Sequence, residues 1–434
     1  MQHATERDAG PGLDDIDLTD LDVFAAGFPH ATFARLRREA PVWWHAPTSH
    51  TPDGEGFWVL SRHADVLAAA GDAATFSSDG AALRARTHGR EGGGTLIEDL
   101  PGGFASGVLL NMMDDPRHHR IRKLVMPSVS PRRLALIESD LAARTEAIVT
   151  AVAEQGSCDF LIDVAAELPL QAIARLMGIP QEDRHQLFAW ANATLDYDDH
   201  DLGESSAKAQ EASAAMFAYG TSLIEEKRRC PADDIISAVA NARIPGAHDD
   251  GDAPLDDLEA QMFFNLLIAA GSETTRNSIA GGMLAFIDHP DQWHAVQHDR
   301  SLLPSAIEEI LRFTSSTAYN RRTATRDVEI GTQQIREGDK VTLWWSSANR
   351  DDAVFAAPDH FDVRREPNRH LAFGHGGHFC LGANLARLEM KVVFDALLDR
   401  FDRVERTGPV EWTRSNKHTG IRHLPVSFTP RPPP

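Results

Sequence analysis

Hydrophobic residues recur at helical spacing through most of the chain and alternate with polar residues only in short stretches. The helical pattern predicts helices over residues 31–39, 64–70, 132–154, 165–176, 182–194, 206–229 and 256–286, and an amphipathic helix that starts at 383. Short strands are predicted at 42–44, 56–60, 328–330, 340–343 and 422–428. The predicted fold class is therefore mainly α with small β-sheets.

The helix predicted over 256–286 is the longest in the chain. Acidic residues follow Pro254 at its start, and the pattern ends before His289-Pro290. At ~1.5 Å per residue it would be roughly 45 Å long, enough to cross a domain. Because it is mostly apolar, we expect it to be buried on several sides, with the rest of the chain packed around it.

Two segments lack a regular pattern. Residues 1–18 are polar and acidic and are predicted to form a disordered tail, ahead of a single helix-rich domain with a small β-rich lobe over 19–434. Residues 77–107 are rich in Gly, Arg and Thr without sustained periodicity. Long loops of this kind are commonly functional, although a mobile surface insertion fits the same composition.

A glycine-rich turn, Phe373-Gly-His-Gly-Gly-His-Phe-Cys380-Leu-Gly382, directly precedes the helix that starts at 383. A helix N-terminus favours a thiolate over a thiol and so lowers the cysteine pKa. The glycines permit close approach by a flat, bulky group, and haem fits that description. A thiolate ligand on haem iron favours cleavage of the O–O bond. The alternatives are a buried structural cysteine and a zinc ion bound by His370, His375, His378 and Cys380.

The middle of the long predicted helix carries the polar stretch Ala270-Gly271-Ser-Glu273-Thr274. Glycine loosens a helix, and an unpaired buried carboxylate costs several kcal/mol by rough estimate. Thr274 can donate a hydrogen bond back to the carbonyl of Ala270. A packing glycine with two local polar contacts would explain the same residues.

Two further patterns place charged residues at helical spacing. Glu309 and Arg312 are three residues apart and can pair on one helix face, and His118 and Arg122 are four apart. Such cations suit the propionate groups of a haem in a partly buried place.

These motifs, in this order, resemble those of the cytochrome P450 superfamily, and the resemblance runs from about residue 17 to residue 425. It implies the cytochrome P450 fold, with a long central helix over a haem-thiolate site, and haem b as the cofactor. In that family Cys380 would be the proximal iron ligand and Phe373 would shield its sulfur. The resemblance also places Ala270, Gly271 and Gly382 beside the haem, and His118, Arg122, Arg322 and His378 at its propionates.

The resemblance implies a division of labour among the remaining residues. Glu273 would relay protons and Thr274 would direct them, as the catalytic acid and alcohol. Glu309 and Arg312, joined by an arginine from a later loop, would support the haem pocket, and Arg364 is the candidate for that arginine.

Composition bears on partners and location. Lys and Arg number 43 against 64 for Asp and Glu, so the net charge of −21 argues against a nucleic-acid partner. No apolar run approaches the roughly 20 residues of a membrane span, and the first residues do not resemble a signal peptide. Three widely separated cysteines suit the reducing cytoplasm, where we expect the protein. The resemblance is to the soluble bacterial type.

The leading hypothesis is a monooxygenase that inserts one oxygen atom from O2 into a C–H bond of a hydrophobic small molecule. Electrons would come from NAD(P)H through a separate ferredoxin reductase and ferredoxin. The stretch Gly271–Asn277 and residues 417–425 resemble a subgroup that hydroxylates sterol side chains, terpenoids and methyl-branched lipids. Phe263, Leu267, Ala318 and Ile421 are candidate pocket walls. A peroxide-driven oxidant and a haem-thiolate sensor without turnover are the alternatives.

Overall fold

The computed structural model describes residues 12–195, 206–248 and 251–432. The α-helices in chain order are α1 (His30–Glu39), α2 (His63–Gly71), α3 (Ala81–His88), α4 (Arg117–Val125), α5 (Pro131–Leu134), α6 (Glu138–Gln155), α7 (Glu167–Met177), α8 (Arg184–Leu195), α9 (Ala207–Arg229), α10 (Ile235–Ala240), α11 (Asp257–Asp288), α12 (Pro290–His298), α13 (Leu303–Thr314), α14 (Trp345–Ala348) and α15 (Ala383–Arg400).

The β-strands are short, and they are distributed along the chain. They are β1 (Val42–His45), β2 (Phe57–Leu60), β3 (Phe76–Ser77), β4 (Ser157–Asp159), β5 (Arg243–His248), β6 (Gly251–Pro254), β7 (Tyr319–Ala324), β8 (Val328–Ile330), β9 (Gln333–Ile335), β10 (Lys340–Trp344), β11 (Phe401–Arg406), β12 (Glu411–Trp412), β13 (Ile421–His423) and β14 (Pro425–Pro430). The expected mainly α fold with small sheets is confirmed.

Helix α11 passes through the middle of the helical layer. It begins with a capping box, in which the Asp256 carboxylate accepts from the Glu259 N–H and the Glu259 carboxylate accepts from the Asp256 N–H. Helices α7, α9, α13 and α15 all pack against it. Because apolar residues surround it on all sides, it is buried along most of its length, and residues 270–275 lie near its middle.

The β-rich lobe is a five-stranded sheet with the strand order β1-β2-β10-β7-β3. Strand β10 is parallel to β2 and antiparallel to β7, with Val341 opposite both Trp58 and Arg322. All of β10 is buried, so the sheet holds Arg322 on β7 close to the helical layer.

The structure corrects several sequence-based boundaries. Helix α6 starts at Glu138 rather than 132, because the short helix α5 precedes it as a separate turn. The irregular segment 77–107 contains the helix α3, whose weak amphipathicity the sequence did not reveal. Leu18 is fully buried and its N–H donates to Nε2 of His45 at 2.9 Å, so the folded body begins before the expected boundary at 18. Residues 1–11 lie outside the described residues.

Within the described ranges, we find no helix whose length and apolar character together would let it cross a membrane.

Candidate functional site

A cavity of about 290 Å³ lies between α11 and the glycine-rich turn before α15. Cys380 and Phe373 border it on one side, and Ala270, Gly271 and Thr274 of α11 border it on the other. Its walls are largely aliphatic and aromatic side chains, which favour an apolar ligand. The residues predicted from the sequence to hold a cofactor therefore share one cavity.

Cys380 is held at the end of the turn by its own backbone, because its N–H donates to the carbonyl of Phe373 at 2.8 Å. Its thiol is free. In the chain alone, burial raises the pKa of this thiol, and the Gly382 N–H and the charges of Arg122 and Arg387 offset burial only in part. The expectation that the helix N-terminus lowers the pKa is thus wrong for the metal-free chain. A bound metal ion would deprotonate the thiol outright.

Two glycines of the turn are required by its backbone. Gly374 and Gly376 have φ of 70° and 72°, and a Cβ on Gly376 would lie 2.6 Å from the carbonyl oxygen of Ala70. Gly382 differs, because it borders the cavity and a Cβ there would meet no protein atom within 4 Å. The space next to Gly382 is open on the cavity side of Cys380, where a flat group can approach the backbone.

Four cationic or imidazole side chains, His118, Arg122, Arg322 and His378, also line the cavity. The His118 and His378 rings stack with centroids 4.0 Å apart, and His378 Nε2 lies 3.1 Å from Ser78 Oγ. Nε2 of His118 is buried without a hydrogen-bond partner among the described residues. Burial lowers the pKa of Arg322 to about 10, with Asp114 as an opposing charge. Arg322 therefore remains a buried cation at neutral pH.

This chemistry fits haem. Carboxylates at the His118 and Arg322 end would satisfy an orphaned buried imidazole nitrogen and a buried guanidinium, both costly as they stand. At the other end, Cys380 is a soft ligand next to the open space at Gly382. The residues present therefore match the propionates, the iron and the flat ring of the cofactor.

Zinc does not fit the same residues. His370 lies 3.0 Å from the Glu308 carboxylate, and His378 is stacked on His118, so the two imidazoles point to different partners. In the described part of the chain, the only group with metal-ligand spacing is Asp53, Glu55 and Asp99. The buried cations Arg84, Arg321 and Lys340 already pair with that group. The zinc alternative is wrong.

The polar stretch of α11 divides between two faces. Thr274 Oγ1 lies in the cavity wall and donates to the Ala270 carbonyl at 3.0 Å, as the sequence suggested. A Cβ on Gly271 would lie 2.8 Å from Cδ1 of Ile173, so close packing against α7 requires this glycine. Glu273 does not line the cavity: its side chain is 5% exposed and lies beside Arg276 and His418.

Glu309 and Arg312 form a fully buried, bidentate pair with both distances at 2.7 Å. The arginine that joins them is Arg365, whose Nε lies 3.2 and 3.1 Å from the two Glu309 oxygens. Arg364, the expected partner, is exposed, and its backbone N–H donates to the Asp362 carboxylate at 3.0 Å. The path of the irregular loop turns the second of two adjacent arginines inward, which spacing alone did not reveal.

The pocket walls were predicted with mixed success. Phe263 and Leu267 line the cavity, but Ala318 and Ile421 are buried in hydrophobic clusters and are not among the residues that line it. Phe104, in the irregular segment 77–107, is about half exposed. Leu110 and Asn111, which follow that segment, border the cavity. Residues that alternate along a strand or an irregular loop cannot be assigned to a cavity without the path of the backbone.

Sequence reasoning missed Arg387, one turn into α15. Its guanidinium lies 4.6 Å from the centre of the Phe373 ring, and its Nη2 lies 2.8 Å from the Glu308 carboxylate. Arg387 follows Cys380 by seven residues, a spacing that puts both near the N-terminus of α15. Many surface arginines have a similar spacing from a cysteine, so this signal alone does not single out Arg387. Trp345 and Asn320, which contact each other through a 3.0 Å hydrogen bond, also line the cavity and were not foreseen.

Comparison with known proteins gives a consistent picture. A sequence model of the family described as cytochrome P450 matches residues 106–424. A Mycobacterium tuberculosis protein described as a cytochrome P450 is 50% identical over 424 residues, covering 96% of this chain and 98% of the relative. A steroid C26-monooxygenase of Rhodococcus jostii is 38% identical over 97% of this chain and 86% of the relative. A methyl-branched lipid omega-hydroxylase of Mycobacterium tuberculosis is 38% identical over 96% of this chain and 95% of the relative.

The fold agrees with these relatives. A Mycobacterium marinum cytochrome P450 solved in complex with pseudoionone superposes with a TM-score of 0.85 at 32% identity, covering 97% of this chain and all of that one. Fold, cavity and sequence similarity thus lead to one conclusion, that the chain belongs to the cytochrome P450 family of haem-dependent monooxygenases.

Proposed function

We propose that this chain inserts one oxygen atom from O2 into a C–H bond of a hydrophobic small molecule of the sterol, terpenoid or fatty-acid-like class. The observation that carries the proposal is that Cys380 and Thr274 line the same largely apolar cavity. Electrons would come from NAD(P)H through a ferredoxin reductase and a ferredoxin, in the cytoplasm.

Haem, when bound through a thiolate, supplies the chemistry that activates O2 for transfer of one oxygen atom. Cys380 would hold the iron, and Phe373, under the guanidinium of Arg387, would shield the sulfur from water. Arg122, Arg322, His118 and His378 would bind the propionates, with the charge-assisted hydrogen bonds that such carboxylates require.

The chain's own residues on the opposite side would bind substrate and move protons. Phe263, Leu267 and Ile173 offer apolar surface that binds a hydrocarbon and excludes water. The Thr274 hydroxyl can donate into the cavity when it leaves the Ala270 carbonyl, and Glu273, one residue earlier, can resupply its proton. The names of the steroid and branched-lipid relatives support a hydrophobic substrate with a chain or ring skeleton.

The test begins with optical spectra of the purified protein. A ferrous–CO band strongly red-shifted from that of histidine-ligated haem, lost in Cys380→Ser, is the expected result. Titration of the ferric protein with sterols, terpenoids and fatty acids should give a blue shift with at least one class. If no haem binds, or if the band matches histidine ligation, the proposal fails.

Turnover separates the proposal from its alternatives. With ferredoxin, ferredoxin reductase and NADPH, Thr274→Ala should keep substrate binding but divert electrons into hydrogen peroxide, lowering product per NADPH by roughly tenfold or more. Thr221→Ala is the matched control, because its hydroxyl makes the same 3.0 Å bond one turn back, on the exposed face of α9. A peroxide-driven oxidant would form product only with added peroxide, and a sensor would consume no NADPH in response to substrate.

A further inference from the structure

Glu273 is enclosed by protein and lies between two basic side chains. Nη2 of Arg276 lies 4.0 Å from its Oε1, and Nε2 of His418 lies 4.0 Å from its Oε2. Since Glu273 is 5% exposed and outside the cavity wall, protons cannot reach it by direct contact with bulk water. A proton route to Glu273 must therefore pass through a neighbouring group.

His418 is well placed to be that group. It lies in the segment between β12 and β13, where its N–H donates to Ser415 Oγ at 3.1 Å and its backbone forms a β-bridge with Thr317 of the cavity wall. These contacts fix the imidazole against the polar stretch of α11. The charged groups that face it are Glu273 and Arg276 of α11 and Lys417 of its own segment.

The charges around His418 suit a group that gains and loses a proton. Burial lowers the pKa of the imidazole, the Glu273 carboxylate opposes that effect, and Lys417 and Arg276 add to it. Burial also lowers the pKa of Lys417 to about 7, which weakens its repulsion near neutral pH. Burial thus favours the neutral imidazole, and the Glu273 carboxylate is the group that favours the imidazolium.

Two residues that flank His418 along the chain, Asn416 and Thr419, and Asn277 of α11, which lies against Gly420, are together called the polar seam. Both side-chain atoms of Asn277, Oδ1 of Asn416 and Oγ1 of Thr419 are buried without a hydrogen-bond partner among the described residues. Buried polar groups are nearly always bonded, to protein or to ordered water. Gly420 packs directly against Asn277, since a Cβ there would lie 2.9 Å from Asn277 Nδ2 and 2.8 Å from Thr413 Oγ1. Ordered water in the polar seam would satisfy these groups.

We propose that His418 passes protons from water in the polar seam to Glu273, an inference that rests on the proposed function and names the residue that feeds its proton relay. Nδ1 of the neutral, Nε2-protonated imidazole takes a proton from a hydronium ion in the seam, which is left as water. The Nε2–H bond of the resulting imidazolium then breaks as an O–H bond forms on Oε2 of Glu273. The ring, now protonated at Nδ1, returns to the Nε2-protonated tautomer by proton exchange with water. The 4.0 Å gap closes by roughly 1 Å or is bridged by one water, as is common before a catalytic complex forms. His418 acts through Glu273 and is a positioning residue.

The first test measures the coupling of the two side chains directly. The pKa of the His418 imidazole is followed by NMR of histidine-labelled protein in the diamagnetic ferrous–CO form. Glu273→Gln removes the carboxylate that favours the imidazolium, so the pKa of His418 should fall by roughly one to three units for charges about 4 Å apart. An unchanged pKa overturns the proposal.

The second test measures proton delivery during turnover. His418→Gln keeps the size and hydrogen bonding of the side chain but cannot carry a proton, so product per NADPH should fall several-fold and hydrogen peroxide should rise. The loss of activity that the wild type shows as His418 deprotonates with rising pH should disappear. His423→Gln is the matched control, because His423 pairs with Asp159 on the other side of the same hairpin. If His418→Gln matches the control in coupling and pH profile, the proposal is wrong.

The two tests also separate this inference from the proposed function. If the ferrous–CO band shows thiolate ligation and Thr274→Ala uncouples, but His418→Gln does not, the enzyme stands and the relay through His418 falls. If Thr274→Ala has no effect, the proposed function fails at its proton step, whereas the NMR result still decides whether His418 and Glu273 are coupled. Should His418→Gln fail to fold, the pKa shift in Glu273→Gln decides the proposal alone.

Discussion

Arg365→Ala should destabilise the protein far more than Arg364→Ala, although the two arginines are adjacent. The Arg365 guanidinium lies 3.1 Å from the fully buried Glu309 carboxylate and also donates to the carbonyls of Ala356, Ala357 and His360. Its side chain is 9% exposed. The Arg364 side chain lies at the surface.

The magnitude follows from what each substitution leaves behind. Removing one partner of a buried ion pair costs about 3–5 kcal/mol when the other charge is left unpaired. Here Glu309 keeps Arg312, the Asn368 amide and the Asp362 N–H, so the cost should fall to roughly 2–4 kcal/mol. The exposed Arg364 should change the free energy of unfolding by no more than about 0.5 kcal/mol.

Urea unfolding of the haem-loaded protein, followed by tryptophan fluorescence, measures the difference. The shift in midpoint at a common slope gives the change in free energy. Equal shifts for the two variants, or a larger one for Arg364→Ala, would refute the assignment of Arg365 to the buried network. A changed slope for Arg365→Ala alone would indicate that the loop also loosens in the native state.

Two further predictions concern buried groups near the cavity. Glu389 on α15 is buried, and burial raises its pKa from 4.5 to about 8, with the Thr275 hydroxyl offsetting this only in part. Because the folded state keeps the Glu389 carboxyl protonated, the wild-type free energy of unfolding falls as pH rises from 4.5 toward 8. The free energy of unfolding of Glu389→Gln, relative to that of the wild type, should therefore rise by roughly 3 kcal/mol between about pH 5 and pH 8. Urea titrations of the two proteins in parallel measure this rise, and its absence would mean that Glu389 is ionised in the folded state. Gly382→Val should lower the amount of haem bound per chain, because the valine side chain would fill the open space beside Cys380. The haem-to-protein absorbance ratio measures this loss, and the circular dichroism of the helices should stay unchanged. Full haem loading of the variant would contradict the placement of the ring there.

Several features were predictable because they depend on neighbours along the chain. The caps, the apolar surface and the proline that follows fixed the extent of α11 to within about two residues at each end, since those signals are local. The turn before α15 was predictable for the same reason, because its glycines and the following helical periodicity are contiguous. The i,i+4 spacing of His118 and Arg122 likewise placed both in the cavity wall.

Other features depended on the path of irregular segments. Whether Arg364 or Arg365 turns inward is decided by a loop without periodicity, and adjacent arginines carry the same chemical signal. Ala318 and Ile421 are apolar like true cavity residues, and only their packing shows that they belong to the core.

The sequence by itself determined the helical fold, the cysteine turn, the acid and alcohol on the long helix, and hence the resemblance to a haem-thiolate enzyme, because each is written in contiguous residues or fixed spacings. Only the tertiary structure decided which groups meet across the chain: Arg387 over Phe373, Arg365 on Glu309, and His418 beside Glu273. Those contacts join segments separated by many residues, and their geometry is set by how helices and loops pack, a long-range property that local spacing does not encode.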